Sequence, residues 1–144
     1  MKGLILFLLF FNSQNGLLCK GVKNEKYKKL ETYLSISHQI TIPETKHHFV
    51  FITGYSCPIT TERLTQFALK SSLRNSIHYI ISGVTITTLP TKNNRNRIIE
   101  NNNELFKYDL DIVMPTLITT ENHKILNATS ISLKNIDETI KLLK

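Results

Sequence analysis

The chain has 144 residues, 41% of them hydrophobic and 20% charged, with a formal net charge of +7. A chain of this length buries a core without disulfide or metal staples, and its composition excludes a disordered, collagen-like or disulfide-framework protein. The basic excess is spread out; its densest clusters, KNEKYKK and KNNRNR, lack arginine–aromatic interleaving, so no nucleic-acid partner is expected.

The N-terminus carries Lys2, an apolar run from Leu4 to Phe11 and then a short polar stretch. That run is far shorter than the roughly 18–20 residues that span a bilayer, so residues 1–21 are expected to be a cleaved export signal. Cleavage after Gly21 would start the mature chain at Val22. Alternatively, GLLC offers a lipobox at Cys19, although Leu18 is not the small residue usual there. The expected location is periplasmic or secreted, with membrane association through the N-terminus if Cys19 is lipidated or if the first basic cluster rests on anionic lipid. By either route Cys57 is left as the free thiol of the mature domain, since the sequence holds 2 cysteines. A lone thiol in an oxidising compartment suggests an intermolecular partner or a reactive group.

Residues 22–33 read as a linker or a short amphipathic helix, with Tyr27, Leu30 and Leu34 at helical spacing. The domain is expected over 34–144. LSISHQITI alternates, placing Leu34, Ile36, His38, Ile40 and Ile42 on one face, and predicts a half-buried strand ended by Pro43. HFVFIT is a continuous apolar run bounded by turn residues, as in a strand buried on both faces. Gly54 closes it, and beyond Cys57 the residues Ile59, Leu64, Phe67, Ala68 and Leu73 suggest a helix with Pro58 in its first turn. SIHYIISGV predicts a second buried strand. The stretch from Thr88 to Asp111 suggests a loop and then a short helix carrying Ile98, Ile99, Leu105, Phe106 and Tyr108, weakened by three successive asparagines. PTLITTENHKILNATSI predicts a hairpin turning at Glu121 to Lys124. NIDETIKLLK predicts a final helix, capped by Asn135, with Asp137 and Glu138 in its first turn and Lys141 and Lys144 in its last. The order implies an α/β domain with a βαβ unit, a hairpin and a C-terminal helix packed on the sheet.

Three segments carry a resemblance. FVFITGYSCPIT resembles the buried strand, turn and helix start of the thioredoxin-like superfamily, more closely its exported bacterial members, with Cys57 in the place of the nucleophile. YDLDIVMPTLIT resembles the segment that presents the family's cis-proline, which makes Pro115 the expected cis residue and Met114 its neighbour; TLITTENHKIL resembles the closing hairpin. The resemblance implies a central mixed sheet flanked by helices. It also implies a site in which Cys57, Thr60 and Pro115 do the chemistry while Tyr55, Ser56, Pro58, Met114 and Thr116 receive a protein or peptide thiol or disulfide. The departure is specific: the family's Cys-x-x-Cys is here CPIT, with Thr60 where the resolving cysteine would stand.

A cysteine at a helix N-terminus meets unpaired backbone N–H groups and the positive end of the helix dipole, which favour the thiolate that attacks disulfides. Thr60 cannot resolve a mixed disulfide, because a hydroxyl is a poor nucleophile at neutral pH, but it can donate a hydrogen bond to the sulfur. The expected activity is therefore monothiol exchange at Cys57, without cofactor or metal. The alternative is a non-catalytic binding module with an inert, buried Cys57. A cis Pro115 would set flanking backbone beside the sulfur for an extended peptide to pair with. A peroxidatic site is disfavoured, since Gly54 and Val50 occupy the positions its pattern needs. His47 and His48 match no zinc spacing and, as strand neighbours, point to opposite faces. Asn127 to Thr129 is a glycosylation sequon by pattern alone.

Overall fold

The computed structural model describes residues 25–72, 74–85, 95–100 and 104–144. The expected export signal, Cys19 and Leu73 lie outside the described residues. A helix α1 (25–38) precedes strand β1 (His47–Thr53), helix α2 (Pro58–Lys70) and strands β2 (Ile77–Ser82) and β3 (Arg97–Glu100). A 3-10 turn (Glu104–Tyr108), strands β4 (Thr116–Glu121) and β5 (Lys124–Ser130) and helix α3 (Ile136–Leu143) complete the order.

The strands form one five-stranded mixed sheet in the order β3-β2-β1-β4-β5. β1, β2 and β3 are parallel, while β4 runs antiparallel to both β1 and β5. β1 is central because its apolar side chains are buried on both faces. Phe49 and Phe51 face one layer, with Ile80, Ile118 and the α1 residues Tyr27, Leu30, Tyr33 and Leu34. Val50 and Ile52 face the other, with Leu64 and Ala68 of α2, and Ile136 and Leu143 of α3. The alternation of the pleat thus feeds two cores, one under α1 and one under α2 and α3.

Two expected elements differ. Residues 34–42 are not a strand: α1 runs on to 38, and Ile36, which the strand would have buried, is 69% exposed. Leu34 satisfies both periods, but Tyr27, Leu30, Tyr33 and Leu34 together make a helical stripe that covers the sheet, and that burial outweighs a local alternation. The helix ends at Gln39, whose φ of 56° is left-handed, with the N–H groups of Gln39 and Ile40 donating to the Ser35 and Leu34 carbonyls. Ile98 and Ile99 belong to an edge strand rather than a helix; β-branched pairs suit the pleat, and among the described residues the helical turn covers Glu104–Tyr108.

The hairpin turns where expected. Asn122 and His123 both adopt left-handed φ, of 49° and 57°, as a two-residue turn between twisted strands requires. His123 is held there by Glu44 at 3.1 Å through Nε2 and by the Tyr27 hydroxyl at 3.4 Å through Nδ1.

Candidate functional site

The site grows from the carboxyl end of β1. Gly54 is pressed against the end of β2: its N–H donates to the Ser82 carbonyl at 3.0 Å, and a Cβ on it would lie 2.0 Å from the Gly83 carbonyl oxygen. No side chain fits that approach, so the chain must leave the strand as glycine. Thr61 then ties the loop back, its hydroxyl donating to the Thr53 carbonyl at 3.0 Å and meeting Ser56 Oγ at 3.1 Å. The residues between are held in a tight arch whose far foot is the first turn of α2.

Cys57 is the N-cap of that helix, Pro58 is its first residue, and the Cys57 thiol is exposed. A proline here loses no hydrogen bond, since the first N–H groups of a helix have no partner within it. The thiol closes no capping hydrogen bond of full geometry. The N–H of Thr60, the Thr60 hydroxyl and the N–H of Ile59 nevertheless lie close enough to the sulfur to hold its pKa below the ordinary thiol value, in that order of weight. The hydroxyl's part is weaker than a formed bond: Thr60 is buried and its Oγ1 has no hydrogen-bond partner. The backbone donors, Thr60 N–H first, are the principal cause.

The segment expected to face the thiol enters β4 beside the end of β1. Phe51 pairs with Thr116 in the antiparallel register, and the Thr53 hydroxyl donates to the Val113 carbonyl at 2.8 Å. Thr116 is buried, its hydroxyl donating to the Met114 carbonyl at 2.8 Å. Pro115 is also buried, but the Met114–Pro115 bond is trans, since no cis peptide occurs among the described residues. The irregular approach through Asp109 and Asp111, both at left-handed φ, already turns the chain, and trans is the intrinsically preferred isomer. The Pro115 carbonyl accepts from the Ile131 N–H at 2.7 Å, so it is committed to the fold and not on offer to a peptide. Pro115 is therefore a strand-entry residue.

Around the thiol end of the sheet stand apolar side chains that burial has not claimed. Tyr55, Ile59, Phe106, Val113 and Met114 are each between 44% and 57% exposed. Tyr55 and Phe106 meet edge to face with ring centroids 5.3 Å apart. Phe106 is missed by sequence reading, although Leu105 and Tyr108 share a turn face that leaves it outside. Val113 is missed because nothing in a short irregular segment marks which residues turn outward.

A second polar cluster lies at the same end of β3. Glu100 is buried, and its Oε1 accepts from the Tyr33 hydroxyl at 2.6 Å and from His38 Nε2 at 2.6 Å. Burial alone would raise this carboxyl, but the His38 and Tyr33 hydrogen bonds outweigh it and leave its pKa below the ordinary value. Burial, then Glu100, push the Tyr33 phenol well above its ordinary value, so it stays a donor. At the other end of the sheet His47 and His78 share a 2.7 Å hydrogen bond between ring nitrogens, and His48 meets Thr119 at 3.0 Å. Burial is the main cause that lowers all three imidazoles below their usual pKa. Among the described residues no group of three or more His, Cys, Asp or Glu could hold a metal ion, and His47 and His48 are packing residues.

No protein family, curated protein or solved structure matches this chain.

Proposed function

We propose that this chain is an exported thioredoxin-like protein whose single reactive thiol, Cys57, carries out thiol–disulfide exchange. The observation that carries the reading is an exposed thiol at the N-cap of α2, with its pKa drawn down by the Thr60 and Ile59 N–H groups. The sheet order supports the fold assignment, with the thiol-bearing strand between a parallel β2 and the antiparallel β4–β5 hairpin. The exposure of Cys57 weighs against the inert, buried thiol of a pure binding module.

In the reaction the Cys57 thiolate attacks one sulfur of a partner disulfide along the S–S axis. A bond forms between Cys57 and that sulfur, the partner's S–S bond breaks, and the other sulfur leaves as a thiolate that takes a proton from water. Thr60 stands where a second thiol would attack, so the mixed disulfide waits for an external thiolate to release Cys57. The exposed Tyr55, Ile59, Phe106, Val113 and Met114 give an apolar rim for a partner segment to cover.

The test is the pH dependence of iodoacetamide labelling in the full chain carrying Cys19→Ser, with the same chain unfolded in urea as reference. The expected labelling midpoint lies below that of the unfolded thiol, and Thr60→Val moves it part of the way back while leaving the backbone donors in place. Equal midpoints in folded and unfolded chains would remove the basis for exchange chemistry.

A further inference from the structure

Among the described residues, the outward-facing backbone groups of the edge strand β3 have no partner, and this edge borders a groove. Among the described residues β3 pairs only with β2: the N–H of Tyr79 donates to the Asn96 carbonyl at 2.8 Å, and that of Gly83 to the Glu100 carbonyl at 3.4 Å. In a parallel ladder alternate residues bond the same neighbour, so Asn96, Ile98 and Glu100 serve β2, and the N–H and C=O of Arg97 and Ile99 point away from it. Along this edge runs a groove of about 720 Å³, bounded by His38 at the end of α1, residues 39–41, His78 of β2 and every residue from Arg95 to Ile99. Arg97 to Ile99 are consecutive residues of β3, with Arg95 and Asn96 in the turn that leads into the strand, so the groove follows the start of β3.

Its chemistry is one-sided. Arg95 and Arg97 line it, no aspartate or glutamate does among the described residues, and Ile40 and Ile98, both packed on the α1 side of the sheet, supply its apolar wall. Arg74 stands at the same end of β3, its carbonyl accepting from Asn96 Nδ2 at 2.8 Å. The Arg97 Nε donates to the Ala68 carbonyl at 2.9 Å, which fixes this arginine and leaves Arg95 as the exposed charge at the mouth. Short edge strands flanked by charge usually resist indiscriminate pairing. Charge of a single sign beside an apolar wall instead selects what pairs: an extended segment with carboxylates on one face and apolar side chains on the other.

We infer that the β3 edge binds an extended acidic segment of a partner protein, which pairs with the backbone of Arg97 and Ile99 as a sixth strand of the sheet. The main-chain bonds hold the segment, Arg95 chooses its charge, and Ile40 and Ile98 take its apolar side chains. The site is separated from β1 by β2 and does not depend on the chemistry of Cys57.

The test uses the full chain and a fluorescein-labelled octapeptide of alternating valine and glutamate, capped at both ends. Fluorescence anisotropy is expected to show saturable binding that weakens at least tenfold with N-methylation of alternate peptide bonds and at least tenfold with Arg95→Glu. Arg95 is exposed, so its replacement leaves the core intact. On binding, the Arg97 and Ile99 amides are expected to become protected from hydrogen exchange in NMR spectra. The inference is overturned by absent binding, by equal binding of the valine–lysine octapeptide, or by binding that leaves those two amides unprotected. Binding of N-acetylglutamate as tight as that of the octapeptide would also overturn it, in favour of a small-molecule pocket.

Discussion

At the scale of single residues, the thiol site depends on positions that contribute no reactive group. Gly54 is needed because the chain must pass within contact of the Gly83 carbonyl before it can arch to Cys57. Gly54→Ala is expected to cost about 1–3 kcal/mol in urea unfolding, by forcing the β1 and β2 ends apart. The same variant should bring the Cys57 labelling midpoint toward the unfolded value, since the arch sets the sulfur over the helix N-terminus. An unchanged denaturation midpoint would mean that the close approach relaxes freely. Thr60 shows the opposite economy: buried yet without a hydrogen-bond partner, its hydroxyl is better placed to respond to charge on the sulfur than to hold the fold.

At the scale of elements, the chain before β1 is the part where two periodicities compete. A helix over 25–38 buries Leu30 and Tyr33 against the sheet and leaves Ile36 outside, whereas a strand over 34–42 would bury Ile36. Leu30→Ala is therefore expected to destabilise by about 2–5 kcal/mol, as for other large-to-small changes in a packed core. Ile36→Ala is expected to change stability by less than ~0.5 kcal/mol and in the favourable direction, because alanine is the better helix former at an exposed site. Denaturant titration of the pair checks this, and the reverse ranking would restore the strand. The C-terminal hairpin and α3 needed no such arbitration. The alternation, the turn and the acidic first turn followed by a basic last turn all point the same way there.

At the scale of the whole molecule, acid acts on both ends of the sheet in the same direction. His47 has its pKa lowered from 6.5 to about 4, first by burial and then by His78 and His48. As the pH falls below 6.5 the unfolded chain gains a proton that the folded chain refuses until about pH 4, so stability declines across that interval. Glu100, with its pKa below the ordinary carboxyl value, adds stability that is full above the unfolded pKa and is lost as the pH falls through the folded one. Urea unfolding at pH 7.5 and at pH 4.5 is expected to differ by on the order of 2–3 kcal/mol, with the neutral protein more stable. His47→Gln should flatten the upper part of the profile, between pH 6.5 and 4, and Glu100→Gln the acid limb beneath it. A profile flat from pH 7.5 to 4.5 would mean that the His47–His78 pair protonates without opening the sheet.

Local pattern settles whatever can be decided within a few neighbouring residues. The runs HFVFIT and IHYIIS are apolar on both faces and can only be central strands, and Pro58 after an unpaired cysteine sets the start of α2. The asparagine-led turn closes the hairpin, and Pro58 places Cys57 at a helix N-terminus, both by local pattern. Tertiary structure decided what depends on distant partners. Arg97–Glu100 is a strand because β2 offers it an edge, and its glutamate is buried because Tyr33 and His38, 67 and 62 residues away in sequence, arrive to bond it. Pro115 stays trans and loses its carbonyl to Ile131, and Phe106 and Val113 turn outward beside Tyr55 and Met114. No local period encodes these outcomes, because each is settled by which surfaces remain uncovered once the two faces of the sheet are filled.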